Sequence, residues 1–260
     1  MNLVALPVLV PLVSGLLLLA VPTRTARHVL SMLAGAATLA ASVGILSQAA
    51  AGNTLVSSLG GWPAPFGIVL VADGFSGVMV VLSAITGLAT VSYAGGAADS
   101  RREGYGQPAL LQFLFTGVNM SFLTGDLFNL FVAFEVMLIA SYALLVLGGT
   151  RRQLREGFRY VVVNLLASAV FVTAAGLTYG ILGTLNMAHL AERAAALGPD
   201  RTVTALALLL ASVFATKTAL FPLAFWLPAS YPAPPPLISA YFGGMLTKVG
   251  VYALVRLLVT

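Results

Sequence analysis

A chain of 260 residues that is 59% hydrophobic and only 8% charged cannot clothe a soluble domain, which carries about 25% charged residues; it reads as an all-α polytopic membrane protein. With no cysteine, a disulfide scaffold and thiolate metal or redox sites are excluded, and His28 and His189, far from any carboxylate cluster, argue against a histidine-ligated metal. The net charge of +5 gathers as arginines between apolar runs, the pattern of a topology signal rather than of a nucleic-acid surface.

A spanning helix needs about 20 mainly apolar residues. Eight stretches qualify: 3–21, 28–50, 73–95, 108–124, 126–147, 158–183, 203–222 and 235–258. The first, "MNLVALPVLVPLVSGLLLLAV", lacks a leading basic region and so reads as a retained helix rather than a cleaved signal. Between the second and third, "AGNTLVSSLGGWPAPFGIVLVADGFSG" reads as an ordered extramembrane loop whose alternating piece suits a small hairpin. Asp73 opens the third span as a partner for the helix dipole.

The first loop carries Arg24 and Arg27, the third Arg101 and Arg102, and the fifth Arg151, Arg152, Arg155 and Arg159. The second and fourth have no Lys or Arg, and in the sixth Glu192 and Asp200 offset Arg193 and Arg201. Odd loops are therefore expected in the cytoplasm and the N-terminus outside, in a prokaryotic plasma membrane. The fifth loop, "GGTRRQLREGFRY", is read as an anchor at anionic headgroups.

Three charges fall deep inside spans. Glu135 lies nine residues past Asp126, about 13–14 Å deeper and so near the middle of a ~30 Å hydrocarbon core. Lys248, one of the chain's two lysines, is roughly 18 Å along its helix from Pro236, and Lys217 about 21 Å beyond Val203. Each intramembrane charge costs about 2.5–3.5 kcal/mol. Two uses fit: a packing ion pair that fixes helix register, or stations on an ion pathway. One pair cannot neutralise two cations and one anion, which favours the pathway.

Pro222 cannot donate to the carbonyl of Thr218, so a break is expected just after Lys217. Transporters place such breaks at midplane sites. Phe225, Trp226 and Tyr231 in "FWLPASYPAPPP" are read as interface aromatics. Asn119, Ser121, Thr124, Asn164, Ser168 and Thr173 suit interhelical hydrogen bonds or a water wire. Gly243 and Gly244, with Ala240, are expected to let helices pack closely near Lys248.

The run "FPLAFWLPASYPAPPPLISAYFGGMLTKVGVYALVR" resembles the signature of the proton-translocating antiporter-like membrane subunits. These are shared by respiratory complex I, membrane-bound hydrogenases and multisubunit Na+/H+ antiporters of the Mrp type. "GDLFNLFVAFEVMLIASYALL" resembles the family's glutamate-bearing helix, and "GGWPAPFGIVLVADGFSG" its loop before the third helix. The Ala229-Ser230-Tyr231 run after Trp-Leu-Pro is more similar to the D-type subunits of the Mrp antiporters than to complex I members, which usually carry an acid and a histidine there.

The resemblance implies a proton relay of Glu135, Lys217 and Lys248, with a broken seventh helix. It also implies partners in other membrane subunits, protons and monovalent cations as cargo, the lipid bilayer as surroundings, no nucleic acid, and no cofactor in this chain. Family members have about fourteen helices in two inverted repeats. Against them, residues 1–107 read as helices 1–3 and 108–260 as the first repeat, with the second repeat absent, as in a fragment or a split gene product. A proton-pumping membrane component of a complex I-like or hydrogenase assembly is the alternative, and a non-transporting scaffold the third reading.

Overall fold

The structure, a computed structural model, describes residues 3–62, 64–96 and 100–259, with backbone alone at 96, 100 and 101. Of the residues singled out above, the Arg101 side chain, Pro63 in the quoted loop, Met1 and Thr260 lie outside the described residues.

The order is α1 (Leu6–Ala20), α2 (Arg24–Ala50), β1 (Leu55–Ser58), β2 (Val69–Ala72), α3 (Gly74–Gly96), α4 (Ser100–Gly104), α5 (Gln107–Leu123), α6 (Leu127–Val146), α7 (Arg151–Leu182), α8 (Met187–Leu197), α9 (Arg201–Thr218), α10 (Leu227–Ser230), α11 (Pro236–Tyr241) and α12 (Thr247–Val259). Seven segments among the described residues are long and apolar enough to cross a membrane. The eighth expected span is α5, with 17 residues, about 25 Å of helix.

Helix α5 forms the centre, with α1, α3, α6 and α12 around it. Its Asn119, Gln112 and Thr116 are buried with its apolar residues. Asn119 Nδ2 donates to the carbonyl of Pro7 across to α1 at 2.8 Å. A Cβ on Gly117 would lie 2.7 Å from the Cα of Met137, so α5 and α6 meet backbone to backbone two residues from Glu135. Helix α6 starts where Asp126 Oδ1 accepts from the Asn129 amide at 2.8 Å, and α7 lies between α6 and α9.

The extramembrane loop does hold a hairpin: β1 and β2 pair antiparallel, Leu55 opposite Ala72 and Ser58 opposite Val69. Leu70 bridges on to Thr124, and Asp126 to Asn186. The hairpin thereby ties the α5–α6 and α7–α8 connections together at one end of the bundle. Helix α8 is an amphipathic piece in the sixth connection that the sequence did not lead us to expect. Beside it, the amides of Val203 and Thr202 hold the Asp200 carboxyl below its ordinary range as it caps α9.

Three expectations need correction. The arginine-rich fifth loop is mostly helix, since Thr150 and Gln153 form a capping box and α7 begins at Arg151. Trp226 and Tyr231 are not interface aromatics but buried ones, at 4% and 8% exposure. The broken chain folds back, Trp226 Nε1 satisfies the freed carbonyl of Thr216 at 3.1 Å, and the two rings pack 5.8 Å apart. Gly243 and Gly244 do not mediate close packing: they lie in a π turn, Phe242–Leu246, with open space where a Cβ would stand. The close approach is made by Gly250, where a Cβ would lie 2.8 Å from the backbone nitrogen of Thr218.

Candidate functional site

Three helices deliver one polar group each to the middle of the bundle: Glu135 from α6, Ser168 from α7 and Lys217 from the last turn of α9. Lys217 is only 4% exposed and Glu135 is half-buried. The lysine Nζ donates to Ser168 Oγ at 3.1 Å, and Ser168 Oγ donates to Glu135 Oε1 at 2.5 Å. One hydroxyl thus separates acid and base. The ammonium also sits 4.9 Å from the centre of the Phe134 ring, a contact that offsets part of its desolvation.

Lys217 is held at this point by the end of its helix. Helix α9 stops at Thr218, and Ala219 turns left-handed at φ 57, a conformation that costs a non-glycine residue about 1–2 kcal/mol. Residues held so persist where surrounding contacts impose them, often at moving or catalytic sites. Here the contacts are the Trp226 bond to Thr216 and the seat of Thr218 against Gly250.

Beside Lys217 lies a cavity of about 10 Å³ bordered by Asn164, Tyr160, Trp226 and Tyr231, roughly the space of one water. The Tyr160 hydroxyl in turn meets Ser141 Oγ at 3.0 Å. Toward the start of α7, Glu156 is buried, at 2% exposure. Its carboxylate accepts from Arg155 Nε at 2.8 Å and from an Arg159 nitrogen at 3.3 Å.

Lys248 stands apart. It is exposed on α12, and its Nζ donates to the carbonyl of Gly243, across the π turn, at 2.5 Å and to Thr247 Oγ1 at 3.5 Å. The structure brings Glu135 and Lys217 together and leaves Lys248 on an outer face. Of the other polar candidates, Ser121, Asn164 and Thr173 bond carbonyls of their own helices. Thr124 receives Asn129 Nδ2 at the α6 cap. Ser168 alone among the serines and threonines singled out links two further helices. Glu156 was not singled out in the sequence, although an acid one residue after and three before an arginine was a readable signal.

A family model described as "NADH:quinone oxidoreductase/Mrp antiporter, TM" matches residues 124–260. The D-type subunit of the Na(+)/H(+) antiporter of Alkalihalophilus pseudofirmus is 48% identical over 256 residues, 98% of this chain and 52% of that protein. Its counterpart in the Na(+)/H(+) antiporter of Bacillus subtilis is 45% identical over 261 residues, again 98% of this chain and 52% of that protein. A chain in the structure of the Mrp complex from Dietzia sp. superposes with a TM-score of 0.89 at 32% identity, covering 98% of this chain and 48% of that one. This chain spans about half the length of the relatives it matches. With the family model covering more than half of it, the chain belongs to the NADH:quinone oxidoreductase/Mrp antiporter transmembrane family.

Proposed function

We propose that this chain is part of a membrane subunit of a multisubunit Na+/H+ antiporter, and that Glu135, Lys217 and Lys248 relay its protons. Residues 108–260 act as the first of two antiporter-like repeats, and other membrane subunits are its partners. The observation that carries the reading is the buried lysine at a helix break, joined to a glutamate through a single hydroxyl.

The donor order sets the direction of transfer. A proton leaves Lys217 Nζ for Ser168 Oγ as the serine proton leaves for Glu135 Oε1. One N–H and one O–H bond break, and two O–H bonds form. The ammonium–carboxylate pair becomes an amine and a carboxylic acid, so charge is neither created nor separated in a medium that resists both. The lysine regains a proton through water beside Tyr160 and Asn164. The residues around Ala219 let α9 shift, stretching the Ser168 bridge and interrupting the exchange. Lys248, at the start of α12 and bonded across the π turn, is the next station, supplied from the face that α12 presents. The N-terminus faces outside and the start of α7 faces the cytoplasm.

The test is proton-coupled Na+ exchange by the complete assembly in everted vesicles, with a blot for the intact complex. Lys217→Ala must stop exchange while the complex persists; normal exchange sinks the proposal. Cysteines placed at 151 and 152 must label from the cytoplasmic side of sealed vesicles. Labelling only from outside inverts the topology.

A further inference from the structure

A cavity of about 710 Å³ lies away from the relay, between the starts of α2 and α5, the end of α3, and the Pro235–Pro236 turn. That size is typical of a small-molecule site. Arg24, Arg27 and Arg102 line it, with Glu103 the one acid among the lining residues. Glu103 is already engaged: its carboxylate takes Arg24 Nε at 2.9 Å, and its carbonyl takes an Arg27 nitrogen at 3.0 Å. Arg27 Nε is fixed in turn on the carbonyl of Val21 at 2.7 Å. Arg24 and Arg27 are thus oriented in advance, and with Arg102 they outnumber the one lining acid.

A second observation points to a ligand. Ser31, two turns into α2 from Arg24, lines the same cavity at 4% exposure. Its Oγ is buried with no hydrogen-bond partner among the described residues, and buried hydroxyls are rarely left so. The first turns of α2 and α5 also line the cavity, and neither helix has a side-chain cap on its N-terminal amides, which favours an anion there. The rest of the lining includes the apolar Val91, Leu111 and Leu237. A guanidinium rim above an apolar wall suits a molecule with a phosphate at one end and hydrocarbon at the other.

We propose that this cavity binds the phosphate of an anionic phospholipid. Arg24, Arg27 and Arg102 surround the phosphate, Ser31 meets a glycerol or ester oxygen, and an acyl chain follows Val91 and Leu111. A free phosphate shares the head-group chemistry but makes no use of the apolar wall.

The test uses the purified full chain in detergent, with native mass spectrometry to count bound lipid. Phosphatidylglycerol should be retained, phosphatidylcholine should not, and millimolar inorganic phosphate should fail to displace it. Arg24→Gln and Arg102→Gln should each weaken phosphatidylglycerol about fivefold. Ser31→Leu, which removes the hydroxyl and crowds its side of the cavity without changing charge, should abolish retention while helix content by circular dichroism stays constant. Equal retention of the two lipids overturns the site, as does unchanged phosphatidylglycerol binding in Ser31→Leu and in both arginine variants. Displacement by inorganic phosphate overturns the lipid assignment. Because the readout is binding, it stands apart from ion exchange.

Discussion

Two of the acid–base groupings that tie helices together among the described residues are built in opposite ways. At the start of α3, Asp73 receives both terminal nitrogens of Arg256 from α12 at 2.6 Å, as well as the Ser76 amide at 2.9 Å. Arg256 also donates to Tyr252 at 2.9 Å, and the Tyr252 hydroxyl donates to the carbonyl of Phe122 at 2.8 Å. Its guanidinium lies 5.4 and 5.0 Å from the Phe75 and Tyr252 rings. Every group there is occupied, and an arginine keeps its proton at any accessible pH. In the middle of the bundle the cation is a lysine, and a hydroxyl able both to give and to accept stands between it and the acid. The saturated grouping is a staple, and the sparse one is the grouping that can exchange a proton. The choice of cation and the number of partners separate the two roles.

The largest expected effect tests that choice directly. Lys217→Arg keeps the positive charge but removes a proton that can leave, so exchange should fall about a hundredfold or more, as far as in Lys217→Ala. Retained exchange in the arginine variant would erase the distinction between the two groupings. Next in size is Lys248→Ala, which should severely reduce exchange with the complex intact on a blot. Among the described residues its Nζ meets Gly243 and Thr247, so no buried acid there is stranded. Loss of the complex would instead make Lys248 a structural partner.

A smaller effect belongs to Ser168. Ser168→Ala should slow exchange about tenfold, the worth of one hydrogen bond to a charged group, and Ser168→Thr should restore much of it. A merely structural serine would lower the amount of complex and leave the rate per complex unchanged.

Glu135 and Lys217 were legible in the sequence because charge inside an apolar run is costly and therefore stands out. The break after Lys217 was legible for a similar reason, a proline where a helix needs a donor. Ser168 was legible only as one of six polar positions suited to interhelical bonds or a water wire; nothing local set it apart from Ser121 and Thr173, which bond their own turns here. Only the meeting of α6, α7 and α9 gives it two charged neighbours. The burial of Trp226 and Tyr231 depends on chain that folds back across the bundle, which a local hydropathy pattern does not encode. The same holds for the glycines. Sequence spacing marked the Gly243–Gly244 pair as a packing site, yet a π turn places them beside open space, and Gly250 meets Thr218 instead. The early start of α7 was readable, since Thr150 and Gln153 have capping-box spacing; the arginines drew the reading toward a loop.

The smallest effect on exchange should come from the staple. Asp73→Asn keeps the shape and the Ser76 cap but removes the charge that Arg256 holds, so the protein should lose about 1.5–3 kcal/mol of stability, seen as a lower thermal unfolding midpoint. Exchange per folded complex should stay constant, since neither residue belongs to the proposed relay. A double-mutant cycle with Arg256→Gln separates the pair from its surroundings. If the ion pair itself supplies the stability, Asp73→Asn should cost much less in the Arg256→Gln background than alone. If the two changes simply add, the stability comes from the Tyr252 and Phe75 contacts of the arginine and from the Asp73 cap, each acting alone. A fall in exchange per complex in Asp73→Asn would overturn the comparison altogether, because the staple would then belong to the proton path.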